Sequence, residues 1–157
     1  MRKVIAVTLS ALGIIVWSAT PATAATEDFV AGSGTVIFAG GSPGHVRVVG
    51  YGTTTDAHGR YKIHIPDHPL YQDVAGTIDC VNVVGNEAVV SGPVTSAASS
   101  DGYDYVIMGI RDNVVDEGSM DFVNPHLVRM SEQINCANTT AFASSPVERG
   151  YFTVRDR

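Results

Sequence analysis

Cysteine is scarce in this sequence: two residues, Cys80 and Cys136, in 157. They are widely spaced and form no C-x-x-C pair, which argues against a redox couple and leaves one disulfide or two free thiols. Catalytic signatures are missing too. There is no G-x-S-x-G and no H-E-x-x-H, so nothing indicates a nucleophile-elbow hydrolase or a zinc peptidase. Positive charge is thin, with ten Lys and Arg against sixteen Asp and Glu, and a net negative chain argues against nucleic acid as a partner. Helical periodicity is nearly absent. Only Pro125 to Asn135 carries it, over a stretch short enough for a turn or two within a loop. A long apolar run occurs once, at the N-terminus, and nothing after Ala25 approaches a second.

That run belongs to a leader. Arg2 and Lys3 precede a roughly 14-residue apolar stretch from Val4 to Trp17, and Ala22-Thr23-Ala24 supplies the small residues that signal peptidase requires. Cleavage is expected after Ala24, giving a signal peptide over 1–24 and a single secreted, extracellular domain over 25–157 with no membrane span. Without Arg2 and Lys3, eight basic residues face sixteen acidic ones, a net charge of about −8 that suits an exported, soluble protein. Both cysteines then meet an oxidising compartment, and one disulfide between them is expected. The loop it closes, 57 residues counted inclusively from Cys80 to Cys136, corresponds to roughly 4 kcal/mol of chain entropy.

The rest of the chain alternates short runs rich in Val, Ile, Thr and Tyr with clusters of Gly, Pro, Asn and Asp, an all-β signature. Strands are expected over Gly34 to Ala39, His45 to Tyr51, Arg60 to Ile65, Gly76 to Val84, Glu87 to Thr95, Tyr103 to Arg111, Ser119 to Val123 and Gly150 to Val154. About eight strands suit one antiparallel β-sandwich or barrel. The clearest hairpin turns at Gly85-Asn86, where positive φ angles permit a two-residue connection. Its register pairs Val83 with Ala88 and Val81 with Val90 on one face, and places Cys80, Val84, Val89 and Ser91 on the other. Both faces are apolar, so this hairpin is interior.

A second hairpin joins His45 to Tyr51 with Arg60 to Ile65. Alternation turns Tyr61, Ile63 and Ile65 to the core and Arg60, Lys62 and His64 to water. Pairing Tyr51 with Arg60 sets Arg47 opposite His64. The four residues Arg47, Arg60, Lys62 and His64 make a small basic strip, read either as protection of an exposed strand edge or as a site for an anion or acidic polymer.

Three segments carry a family likeness: GTIDCVNVVGNEAVVSG from Gly76 to Gly92, Val106 to Asn113 ending in Arg111-Asp112-Asn113, and Arg149-Gly150-Tyr151-Phe152-Thr153-Val154-Arg155-Asp156. In these the chain resembles a family of small secreted proteins of Gram-positive actinobacteria that have no assigned activity. The resemblance spans most of the domain and implies an all-β fold but no catalytic residues. A cysteine between the second and third segments is usual in that family, and Cys136 stands there, which supports the disulfide. After Asp112-Asn113 the family commonly has glycine and then an acidic residue, whereas this chain continues Val114-Val115.

The sharpest ligand candidate is the oxygen cluster of Asp112, Asn113, Asp116, Glu117 and Asp121. Calcium takes six to eight oxygens from such loops, but the spacing matches no EF-hand, and Asx side chains also build turns by bonding their own backbone. His58, His64 and His68 are spaced poorly for zinc or copper and read as surface histidines. Asp101 and Asp104 are a carboxylate pair of the kind glycosidases use, subject to their separation in space. Asn138-Thr139-Thr140 is a sequon that reads as a loop in a bacterial protein. Tyr51, Tyr61, Tyr71, Tyr103, Tyr105 and Tyr151 divide between core positions and an exposed platform for sugar stacking. Three functions follow. The first is a non-catalytic extracellular or structural protein that binds a cell-wall polymer, a glycan or a protein, and needs no cofactor. The others are an extracellular hydrolase using carboxylates and a domain stabilised by calcium.

Overall fold

The computed structural model describes residues 27–38, 41–68, 72–96, 102–113, 119–129, 136–138 and 145–157. The leader, Tyr71, Asp101, Asp116, Glu117 and the two threonines of the sequon lie outside the described residues. Nine strands follow in order: β1 (Asp28–Ile37), β2 (Pro43–Gly52), β3 (Ala57–His64), β4 (Val74–Thr77), β5 (Cys80–Val84), β6 (Glu87–Pro93), β7 (Tyr105–Arg111), β8 (Phe122–Val128) and β9 (Ser145–Arg155). They form one antiparallel sheet in the order β4-β3-β2-β1-β9-β8-β7-β6-β5. A narrow seam divides it, because β9 pairs with β8 only at Phe122 and Val123 but runs along β1 from Phe29 to Val36. The sheet is not closed. Its two ends, β4 and β5, are consecutive in the chain, and a single bridge from Gly76 to Val94 links β4 to the residue after β6.

Alternation explains the core. Along β2 every second residue is buried, Val46 and Val48 among them, while His45, Arg47 and Val49 face outward. Val30, Val48 and Ile63 from one side of the seam share a buried cluster with Val81, Val106 and Met108 from the other. Strand β7 is buried on both faces, since Ile107 joins Val89 and the Cys80–Cys136 disulfide in a second, smaller cluster. The two cysteines are bonded, with Cα atoms 6.3 Å apart, and Cys136 begins a 3-10 turn over Cys136–Asn138.

The β5–β6 hairpin has the expected register, Val83 with Ala88 and Val81 with Val90. Only Gly85 has positive φ, at 63°, so one left-handed residue suffices for the turn. Four expectations are corrected. The run from Gly76 to Val84 is two strands, because the chain changes partner at Ile78-Asp79: the Ile78 amide donates to Gly59 and the Asp79 amide to Ser91. The β2–β3 register is two residues from the expected one, with Tyr51 opposite His58 and Arg47 opposite Lys62. Its loop is shorter because the Thr53 hydroxyl accepts from the amides of Thr55 and Asp56 and closes the turn. A slip of two preserves the face of every side chain. Of the helical pattern from Pro125 to Asn135, the part to Val128 instead continues β8, and residues 130–135 lie outside the described residues. Proline fits there because β9 has already left that side of β8, where no ladder needs its N–H. Finally, β1 begins six residues before the expected Gly34, in a Gly-Ser-Gly stretch of low strand propensity.

Candidate functional site

The outward face of β9, β1, β2, β3 and β4 gathers most of the positive charge. Residues opposite one another across the ladders form rows. One row runs Arg149, Thr35, His45, His64. The next runs Tyr151, Ser33, Arg47, Lys62, Ala75, and a third runs Thr153, Ala31, Val49, Arg60, Thr77. A fourth holds Arg155, Phe29, Tyr51 and His58. Arg47, Arg60, Lys62, Arg149 and Arg155 are five of the eight Lys and Arg residues after position 24. No Asp or Glu occupies a paired position in these rows; Glu148 falls at the bulge beside Arg149.

Carboxylates appear at the margin. Asp73, just before β4, lies 3.4 Å from Lys62 Nζ and 3.3 Å from His64 Nδ1, and Asp56 lies 3.4 Å from His58. Arg47, Arg60 and Arg149 form no ion pair among the described residues. The structure thus brings the four residues of the expected basic strip, Arg47, Arg60, Lys62 and His64, onto one surface. Edge protection does not explain them, because β4 pairs with β3 from Arg60 to Ile63 and covers that edge. Two shallow hollows flank the Arg47–Lys62 pair. One, about 420 Å³, adjoins Val49, Arg60 and Thr77; the other, about 450 Å³, adjoins His45, His64 and Asp73.

Aromatic rings border this surface. Tyr151 is 72% exposed and Tyr51 43%. Tyr51 and His58 meet with ring centroids 5.7 Å apart, and the Arg155 guanidinium lies 5.9 Å from the Phe29 ring centroid. Tyr61 and Tyr105 are core residues. Burial first, then Tyr105 and Asp79, raises the Tyr61 hydroxyl well above its ordinary value, so it remains a neutral donor to the Gly92 carbonyl. Sequence reasoning overlooked Arg149, Tyr151 and Arg155 as members of this face. Their alternation in the closing strand was the available signal, but their neighbours on β1 lie over a hundred residues earlier in the chain.

The described members of the oxygen cluster bind main chain. Asp121 accepts from the amides of Phe152 at 2.7 Å and Asn113 at 3.0 Å, and Asp112 accepts from Val154 at 3.0 Å. The Asn113 side-chain amide donates to the Met120 carbonyl. These bonds tie the ends of β7 and β8 to β9 beside the seam. Among the described residues no three His, Cys, Asp or Glu side chains converge as metal ligands. Asp121→Asn turns one acceptor into a donor facing an N–H, and unfolding free energy should fall by about 1–3 kcal/mol. Denaturant titrations with calcium and with a chelator should give the same loss; a loss seen only with calcium would restore an ion to this loop.

A third hollow, about 400 Å³, lies beside the disulfide and is bordered by Thr54, Thr55, Asp79, Ser91 and Tyr105. Its polar groups satisfy one another: Tyr105 donates to Asp79 at 2.7 Å and lies 3.2 Å from the Ser91 hydroxyl.

Fold and surface together define an all-β, disulfide-linked protein with a cationic sheet face bordered by tyrosines. Comparison of the chain with known protein families, characterised protein sequences and solved structures finds no match in any of the three.

Proposed function

We propose that this is a non-catalytic extracellular binding protein whose partner is an anionic polymer held on the outward face of β1, β2 and β3. The observation that carries the reading is the concentration of Arg47 and Arg60, which form no ion pair among the described residues, with Lys62 between them, on a chain of net negative charge. A solubility role would disperse such charge; a face whose paired positions carry no Asp or Glu, with Asp56 and Asp73 at its margin, favours a polyanion. Export rests on the leader read over 1–24 and agrees with the disulfide. Among the described residues no helix is long and apolar enough to cross a membrane. The resemblance to a family of small secreted actinobacterial proteins fits the same picture.

Immobilised dextran sulfate tests the reading. A protein of this net charge should be repelled by a polyanion unless one face dominates, so retention at low salt that fades as salt shortens the Debye length is expected. Arg47→Gln with Arg60→Gln should weaken binding by about tenfold or more. Equal retention of the double variant and the parent would remove this face from the function.

A further inference from the structure

We propose that the polymer is an acidic polysaccharide carrying uronate carboxylates, and that it runs along β2 and β3 with one sugar ring stacked on Tyr51. This rests on the anionic-polymer reading above and narrows it to one chemistry. The two hollows that share Arg47 and Lys62 lie in succession along the strands, one toward Arg60 and the other toward His64. They cover the rows His45–His64, beside Asp73, Arg47–Lys62 and Val49–Arg60, and the next row on the same face, Tyr51–His58, extends the track beyond them. Rows on one face are two residues apart, about 6.6 Å, so the track is about 20 Å long and suits an extended chain of several sugar units.

Two features select a uronate glycan over other polyanions. The two cations of the track that form no ion pair among the described residues, Arg47 and Arg60, are arginines, whose planar fork matches a carboxylate with two parallel hydrogen bonds. The track also ends on an exposed aromatic ring, Tyr51, held by the tilted contact with His58. A pyranose ring has an apolar C–H face that stacks on such a surface, whereas a glycerol phosphate chain has no ring to offer it. Val49, 37% exposed between the Arg47 and Tyr51 positions, continues the apolar floor.

The test uses protein recovered from the medium of cells expressing the full chain. The probes are a short oligogalacturonate, the uncharged oligogalactose of equal length and a glycerol phosphate oligomer of equal charge. The only tryptophan in the sequence, Trp17, falls in the leader read over 1–24, so the signal is tyrosine fluorescence, and a change is assigned to the face by its loss in Tyr51→Leu. Oligogalacturonate should bind and change that fluorescence, and the neutral sugar should not bind. Tyr51→Leu should weaken oligogalacturonate about tenfold and leave glycerol phosphate unchanged. Tyr151→Leu, two strands from Arg47, should leave both unchanged. If both anions bind equally and Tyr51→Leu alters neither, the polysaccharide is wrong while the anionic-polymer reading stands. If Tyr151→Leu weakens the glycan and Tyr51→Leu does not, the track along β2 and β3 is wrong. If neither anion binds, or Arg47→Gln with Arg60→Gln changes nothing, both readings fall together.

Discussion

Removing the Cys80–Cys136 bond, by reduction or by replacing both residues with alanine, lowers the free energy of unfolding by about 4 kcal/mol. The bonded residues are 56 positions apart in sequence, and freeing them returns that loop's entropy to the unfolded chain. The folded state loses order as well. Cys136 is packed against Val89 and Ile107 on the outer face of β6 and β7, and Asn82 donates to its carbonyl at 3.0 Å. With the covalent link gone, this small cluster and the Asn82 side chain, which also lies 3.5 Å from the Ala137 carbonyl, still hold the 3-10 turn but no longer fix it covalently. Urea titrations of oxidised and reduced protein provide the measurement, with the slope compared as well as the midpoint, because a crosslink compacts the unfolded chain. Coincident curves would mean that the bond only decorates a fold that stands without it.

Phe152→Ala should cost about 3–5 kcal/mol, at the upper end of that range. The ring is fully buried and covers Gly32 and Gly34 of β1. A Cβ on Gly32 would come within 2.6 Å of Phe152 Cδ1, and one on Gly34 would come within 2.5 Å of Val147 Cγ1. At Gly32 the ring and the β9 backbone leave no room for a Cβ, at Gly34 Val147 and the Arg149 carbonyl leave none, and with the ring gone neither glycine has a side chain to move into the space. Phe152→Leu should recover a large part of the loss. The Phe152 amide still donates to Asp121 in each variant, so the series isolates packing from hydrogen bonding. A loss below 1 kcal/mol, measured by the same titration, would show that the β1–β9 interface closes over the gap.

The Phe152 effect falls beside the narrowest pairing in the sheet. β9 is joined to β8 through two residue pairs only, and Asp112 and Asp121 reach across to amides of β9 where no ladder does. Carboxylates read as calcium ligands on composition thus have a partner that composition does not display. Oxygen donors crowd a loop whether they are to hold an ion or to satisfy main-chain N–H groups, and the choice is made by a strand more than thirty residues later in the chain.

The face that carries the proposed function was half visible. Arg60, Lys62 and His64 alternate with Tyr61, Ile63 and Ile65, and local period alone assigns them to water. Placing Tyr51 opposite Arg60 had no comparable basis, since the Thr53 turn sets the loop length through hydrogen bonds that propensities do not encode. The face assignment survived because a slip of two residues changes partners and not sides.

What the sequence by itself determined is therefore local: the all-β class, the register of the β5–β6 hairpin, and which side of β3 is wet, because period-two alternation is written in adjacent residues. The disulfide pairing followed from there being only two cysteines. Tertiary structure alone decided that β9 inserts beside β1, that Arg149, Tyr151 and Arg155 share a surface with Arg47 and Lys62, and that β4 covers the edge of β3. Those pairings join residues up to 126 positions apart, as 155 minus 29 for Phe29 and Arg155, and their free energy comes from mutual burial and ladder hydrogen bonds that exist only once both partners are present.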